Sequence, residues 1–407
     1  MKMNFDLAPN RRHTDSVKWD ATAEEFGMTP GDDILPMWVA DMDFFCAPEL
    51  LDAVQTAFAP GALGYRTLPN RFREAVVGWM DKRHGLTVPD EAILPIPGVI
   101  PGISSAIACF TQPGDGVIVQ PPIYPPFTGV TREMGRVVLE NTLIEREEDG
   151  ILHYDIDFDG LRALAARPDA RLMILCSPHN PLGRVWTREE LCEICRICAE
   201  NNVYLVSDEI HSDIILGDAS FTPILSVAQA CGVTSRICQL GSPSKSFNTA
   251  GTHAAYTIIP DAAERDAIRR FFSSMHFPTE SFISTEVVTA AYGPAAYYPD
   301  ELSAYLTENT AYFVGRLLAE IPGIRLTRPQ ATYLLWADFR GCAFDAASVM
   351  RLLCDEARVA PDPGEWFSPD RVGCLRINLA MPRAMLVEAA DRIIRTIRAA
   401  MEKETAK

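Results

Sequence analysis

Four short runs with almost no charge constrain this chain most: Gly116 to Gln120, Arg171 to Cys176, Val203 to Ser207 and Ala254 to Ile259. Each is brief for a helix and apolar at successive positions, the pattern of a strand buried on both faces of a mostly parallel sheet. Between the second and third runs, Thr187-Arg188-Glu189-Glu190 forms a capping box that opens a helix. Strand, helix and strand in that order make a βαβ unit, and a doubly wound α/β domain is predicted. After about residue 290 the pattern changes. Tyr305 to Ile321 reads as a helix, Thr332 to Asp338 and Cys374 to Leu379 as strands, and Met385 to Met401 as a final amphipathic helix. A smaller α+β domain is expected there. The 407 residues suffice for two domains. The expected division is an N-terminal arm with a small-domain segment (1–45), a large ligand-binding domain (46–290) and a small C-terminal domain (291–407).

The apolar fraction of 48% and charged fraction of 22% suit a globular chain, with disorder expected only at Lys403 to Lys407. A formal charge of -17 argues against nucleic acid or an anionic membrane as partner. Met1 to Asp20 has no apolar core of a signal peptide, and no stretch approaches membrane-spanning length. The eleven cysteines therefore read as reduced thiols of a cytoplasmic protein. Cys192, Cys195 and Cys198 are spaced like metal ligands. The capping box instead puts Leu191, Ile194, Cys195 and Cys198 near one helical face, where cysteine packs as a small hydrophobe. With no second ligand cluster to complete a tetrahedral site, no metal is expected.

In open α/β sheets, ligands bind beyond the carboxyl ends of the strands. Three polar residues stand at such ends: Asn180 in Ser177-Pro178-His179-Asn180-Pro181, Asp208 in Ser207-Asp208-Glu209-Ile210-His211, and Lys245 in Gly241-Ser242-Pro243-Ser244-Lys245. An amide, a carboxylate and an amine at one sheet edge match the needs of pyridoxal 5'-phosphate. That cofactor takes a lysine for its aldehyde, a carboxylate at its pyridine nitrogen, and hydroxyls with backbone N–H groups for its phosphate. Ser242 and Ser244 supply hydroxyls, and Gly98-Val99-Ile100-Pro101-Gly102 offers N–H groups at a turn where Pro101 suits a helix start.

These motifs resemble the class I/II aminotransferase superfamily, the pyridoxal-phosphate enzymes of the aspartate-aminotransferase fold, over nearly the whole chain. Asn180-Pro181-x-Gly183, Asp208-x-x-His211 and Ser242-x-Ser244-Lys245 stand in the family's order. The resemblance implies that Lys245 bonds the cofactor, Asp208 pairs with the pyridine nitrogen, and Asn180 meets the ring oxygen and the substrate. It implies that Tyr124 stacks on the ring, and that Gly98, Val99, Ile100, Ser242 and Ser244 surround the cofactor. Tyr65, in Gly64-Tyr65-Arg66, matches a catalytic tyrosine that reaches the cofactor phosphate of the partner subunit, so a homodimer with shared active sites is implied. Arg376 matches the clamp for the α-carboxylate, with Ala40 beside the substrate; a planar guanidinium suits a carboxylate bidentately.

Three positions depart from the aminotransferase pattern. His211 stands where many members carry a tyrosine, Leu182 replaces a threonine, and His253 occupies the place of a phosphate-binding arginine. Trp38 to Phe44, Ser207 to His211, Ser244 to Asn248 and Arg376-Ile377-Asn378 are similar to the MalY/PatB-type cystathionine β-lyase branch. That resemblance implies α,β-elimination from cystathionine or another S-substituted cysteine, giving pyruvate, ammonia and a thiol. Amino transfer at the same site is the alternative. A regulatory pyridoxal-phosphate protein is a third reading, but too few residues precede Asp41 for a DNA-binding domain.

Overall fold

The computed structural model describes residues 3–279 and 281–406. Its strands are β1 (Leu35–Met37), β2 (Ile93–Ile96), β3 (Gly116–Val119), β4 (Val137–Glu140), β5 (Ile144–Glu148), β6 (Ile151–Asp155) and β7 (Ala170–Cys176), then β8 (Tyr204–Asp208), β9 (Ile237–Gly241), β10 (Ala255–Ile258), β11 (Arg325–Thr327), β12 (Leu334–Asp338), β13 (Val359–Pro363) and β14 (Cys374–Asn378). They form two seven-stranded sheets.

The first sheet runs β2-β10-β9-β8-β7-β3-β4. All four apolar runs are in it, and their strands are buried throughout except at Arg171 of β7, which is exposed. Alternate side chains feed separate cores. Leu172, Ile174 and Cys176 pack under the helix Val99–Phe110, while Met173 and Leu175 face the helices Arg188–Glu200 and Ile224–Ala230. Both faces are covered, so continuous apolar sequence is what this sheet requires. Gly102 permits the close approach of the helix Val99–Phe110: a Cβ there would lie 2.6 Å from Ile96 Cδ1 and 3.1 Å from Leu240 Cδ2. One difference from expectation is β10, which pairs antiparallel with β2 and β9. An antiparallel edge region is compatible with a doubly wound sheet, and a fully buried strand carries no sequence sign of its direction.

The chain leaves β3 toward β4 on one side and resumes at β7 on the other. Strand order therefore reverses between β3 and β7, and the crevice that such a reversal opens lies at their carboxyl ends.

The second sheet, β1-β13-β14-β12-β11-β6-β5, is mixed. It packs against the helices Tyr298–Glu320 and Arg383–Thr405 through Phe313, Leu317, Leu386 and Ile393. Both helices are longer than expected: the first begins at Tyr298, with Tyr298, Pro299 and Leu302 buried, and the last runs through Lys403 to Thr405, where disorder was expected. Lys407 lies outside the described residues. β1, β5 and β6 reach this sheet from early in the chain. Among the described residues no helix is long and apolar enough to cross a membrane, and no cluster of three or more potential ligands could hold a metal ion.

Candidate active site

Asp208 ends β8, the middle of three parallel strands, opposite Cys176 of β7 and Leu240 of β9. It is buried, and its Oδ1 accepts the Ile210 N–H at 3.1 Å. Burial raises its pKa to about 6, opposed by that amide and by the charge of Lys245. Lys245 lies in the turn after β9, where its Nζ donates to the Ala40 carbonyl at 2.6 Å. Burial of the ammonium lowers its pKa to about 8, and Arg376 adds to the shift. Acid and base are thus moved toward each other across neutral pH, a pattern that marks sites of proton chemistry more often than plain surface charge.

Arg376 comes from the other sheet, on β14, directly across from Trp336 on one side and Asp362 on the other. Its Nε donates to Asp362 at 2.7 Å, one Nη to Asn180 Oδ1 at 3.0 Å and the other to the Trp38 carbonyl at 3.2 Å. The Phe367 ring lies beneath it at 4.8 Å. Every arm is held, so this is a pre-oriented group rather than a solvated charge.

The segment from Trp38 to Phe44 joins these parts. Ala40 O also accepts from Tyr333 OH at 2.9 Å, Asn378 donates to the Val39 and Asp41 carbonyls at 2.7 Å each, and Asn248 clasps the Met42 backbone from both sides. A buried pair, Lys18 with Asp43 at 2.8 Å, closes it from behind.

His211 is buried beside Tyr333, their ring centroids 6.1 Å apart. Burial, with Lys245 and Arg376 nearby, drives its pKa well down, so the ring is neutral. Its Nδ1 has no partner. Tyr124 begins the helix Pro125–Glu133 and feels the charges of Arg376 and Asp208; burial raises its pKa. The Ser242 hydroxyl donates to the Ala254 carbonyl and lies in hydrogen-bond contact with the Ser244 hydroxyl, which can donate to it, both at 2.6 Å. Gly98 precedes a helix that starts at Val99, two residues before Pro101, and no side chain caps its first N–H groups.

Lys245, Asp208, Asn180, Arg376, Ala40, His211 and Tyr124 are therefore brought together by bonds, ring contacts or mutual charge effects. Tyr65 is not among them. It is fully exposed and lines a separate cleft of about 1020 Å³. Sequence reasoning missed Tyr333 and Asp362. Tyr333 lay inside an expected strand with no polar signature, and Asp362 sits in Ala360-Pro361-Asp362-Pro363, which marks nothing.

These residues fit pyridoxal phosphate. An unpartnered buried nitrogen on His211 and a buried carboxylate at a strand end both lie within the field of a lysine amine of lowered pKa, and each is a group that this cofactor would engage. The sequence pattern of "Aminotransferase class I and II" matches residues 35–393. The chain belongs to that family. Within the aminotransferase class I and II family, it is 38% identical to cystathionine beta-lyase PatB of Bacillus subtilis over 96% of this chain and 99% of that one. It is 31% identical to protein MalY of Escherichia coli, covering 97% and 99%. Among solved structures, cystalysin from Treponema denticola, which contains a pyridoxal 5'-phosphate cofactor, superposes with a TM-score of 0.92 at 29% identity, covering 98% of this chain and all of that one. Membership in the family, and in its PatB and MalY branch, agrees with the sequence motifs.

Proposed function

We propose that this chain is a pyridoxal-phosphate-dependent carbon–sulfur β-lyase that converts L-cystathionine, or a related S-substituted cysteine, to pyruvate, ammonia and a thiol. The observation that carries this reading is whole-length likeness to PatB, named a cystathionine beta-lyase. When bound, the cofactor supplies an aldehyde for an amine and a protonated ring that withdraws electrons from the substrate Cα.

The chain's own residues do the rest. Arg376, steadied by Asp362 and Asn180, takes the α-carboxylate. Lys245 would hold the cofactor aldehyde and, as a free amine, would take the Cα proton; a pKa of about 8 leaves enough free amine for that at neutral pH. Asp208 would keep the ring nitrogen protonated, Asn180 and neutral His211 would face the ring oxygen, and Tyr124 would stack on the ring. Ser242, Ser244 and the N–H groups of Gly98, Val99 and Ile100 would hold the phosphate, with Tyr65 of the partner subunit. In the elimination, the Cα–H and Cβ–S bonds break and a carbon–carbon double bond forms. The proton held by Lys245 is then available to the departing thiolate. The unsaturated amine left behind hydrolyses to pyruvate and ammonia. A homodimer, a cytoplasmic location and a division at residues 45 and 290 belong to the same reading.

The deciding experiment is incubation of the holoenzyme with L-cystathionine and no added oxo acid. Pyruvate, ammonia and homocysteine in equal amounts are expected. Amino transfer that requires an oxo acid, with no thiol released from any cysteine conjugate, would replace the lyase reading with an aminotransferase.

A further inference from the structure

The cysteines spaced like metal ligands separate into two kinds. Cys195 and Cys198 are buried against the first sheet, and Cys198 Sγ lies 3.8 Å from Met173 Sδ. Cys192, one turn earlier on the helix Arg188–Glu200, is only partly buried and packs against that core from outside it. Its Sγ lies 2.6 Å from Sγ of Cys231, the exposed residue that caps the end of the helix Ile224–Ala230. Both sulfurs are free thiols. They are nearer than unbonded sulfurs ordinarily pack, and a covalent bond of about 2.05 Å needs only a small approach. Arg196 donates to the Cys192 sulfur at 3.8 Å, and the charges of Arg196 and Arg188 act on Cys231. The candidate active site uses neither cysteine.

We propose that Cys192 and Cys231 form a reversible dithiol–disulfide pair on the outer face of the first sheet, oxidised by a hydroperoxide. The exposed Cys231 attacks first. Its sulfur bonds to one peroxide oxygen, the O–O bond breaks and water leaves, giving a sulfenic acid. Cys192 then attacks that sulfur, the S–O bond breaks and a second water leaves as the disulfide forms. Two thiols lose two electrons in all, and hydrogen peroxide is reduced to two waters. A thiol reductant reverses the bond by exchange. The hydrogen shared with Cys192 raises the Cys231 pKa, so the pair rests as thiols and the attack on peroxide runs through the small fraction of Cys231 thiolate. The bond would close a loop between positions 39 apart in sequence and staple two helices that cover the same sheet face.

The test uses the whole holoenzyme treated with one equivalent of hydrogen peroxide, then alkylated and mapped without reductant. Two thiols per chain should disappear, a Cys192–Cys231 linked peptide should appear, and dithiothreitol should restore both thiols. In Cys192→Ser the sulfenic acid on Cys231 should persist and be captured by dimedone. The wild-type map needs no variant to fold. Cys192 still fully alkylated while Cys231 is oxidised, or a link between any other two cysteines, would overturn the assignment.

Discussion

Lys245 must be neutral to attack a carbonyl or accept a proton, whereas an ordinary lysine is charged at neutral pH. Burial settles the balance by moving its pKa from an ordinary lysine value to about 8. The sign is direct: the reactive form is the free amine, whose fraction grows as pH rises through the pKa. At pH 7 roughly a tenth of the amine is free, against a few parts in ten thousand for an unshifted lysine. Cofactor-free protein should therefore capture pyridoxal phosphate with a rate that climbs to a plateau, midpoint about 8. A rate still rising tenfold per pH unit above pH 9.5 would show an unshifted lysine. Borohydride should fix the cofactor on Lys245, and Lys245→Ala should lose turnover; a reduced adduct on another lysine, located by mass spectrometry, would refute the assignment. Arg376 raises a different problem. Removing it abandons the carboxylate clamp and also strands Asp362, buried with a carboxylate that burial already pushes toward protonation. Arg376→Ala should cut kcat/KM by an amount equivalent to roughly 2–5 kcal/mol if its substrate contact is buried. It should also lower stability by about 3–5 kcal/mol. In Arg376→Ala with Asp362→Asn, the melting temperature should recover while KM stays high. Recovery of both together would reduce Arg376 to a structural role.

Elements matter because Asn180 and Arg376 belong to different sheets and must meet. Gly183 is where the loop after β7 joins the segment ahead of β12. Its carbonyl accepts from Gln330 and Ala331, its φ is +67°, and a Cβ there would come within 2.6 Å of Pro329 Cβ and 2.8 Å of the Ala331 carbonyl. Gly217 has a similar φ of +59° and nothing within 4 Å. Gly217→Ala should thus cost only the backbone strain, about 1 kcal/mol. Gly183→Ala must also displace backbone, so its melting temperature should fall further and KM should rise as Asn180 shifts. Equal losses in the two variants would remove the steric argument. The same geometry explains what could be read from the sequence. Asn180, Asp208 and Lys245 were legible because each stands at or just beyond the end of a buried, mostly apolar strand, and such strands announce their ends. β5 was not, since most of Ile144–Glu148 faces solvent and shows no alternation. β1 is three residues with Pro36 in the middle, too short for any period. Tyr333 and Asp362 become site residues only when β12, β13 and β14 align beside the Trp38–Phe44 segment, a tertiary event that local sequence does not encode. Arg376 and Ala40 came from family resemblance, and their bonds to Asn180 and Lys245 appear only in three dimensions.

At the scale of the molecule, one expected site residue lies far from the rest by every bond described. Tyr65 is fully exposed, in a segment where Leu63 is 62% exposed and Phe277, across the cleft, 50%. The cleft of about 1020 Å³ is edged by Arg66, Arg71, Arg73 and Arg269 as well as by Tyr65 and Phe277. Exposed apolar groups gathered around a recess suit an interface better than bulk water. A twofold dimer would cover them and, being isologous, would give each subunit's Tyr65 to the other's site. Mixed dimers test the exchange. One parent carries Tyr65→Ala, which removes no packed side chain from the isolated chain, and the other carries Lys245→Ala. If Tyr65 acts across the interface, a mixed dimer holds one site with both lesions and one with neither. Random reassortment should then restore about one quarter of wild-type activity at limiting cofactor, from two weak or inactive parents. If Tyr65 served its own subunit, every mixed site would carry one lesion and mixing would restore nothing. Sedimentation at the assay concentration completes the test, because a fully active monomer would leave Tyr65 no second subunit to reach.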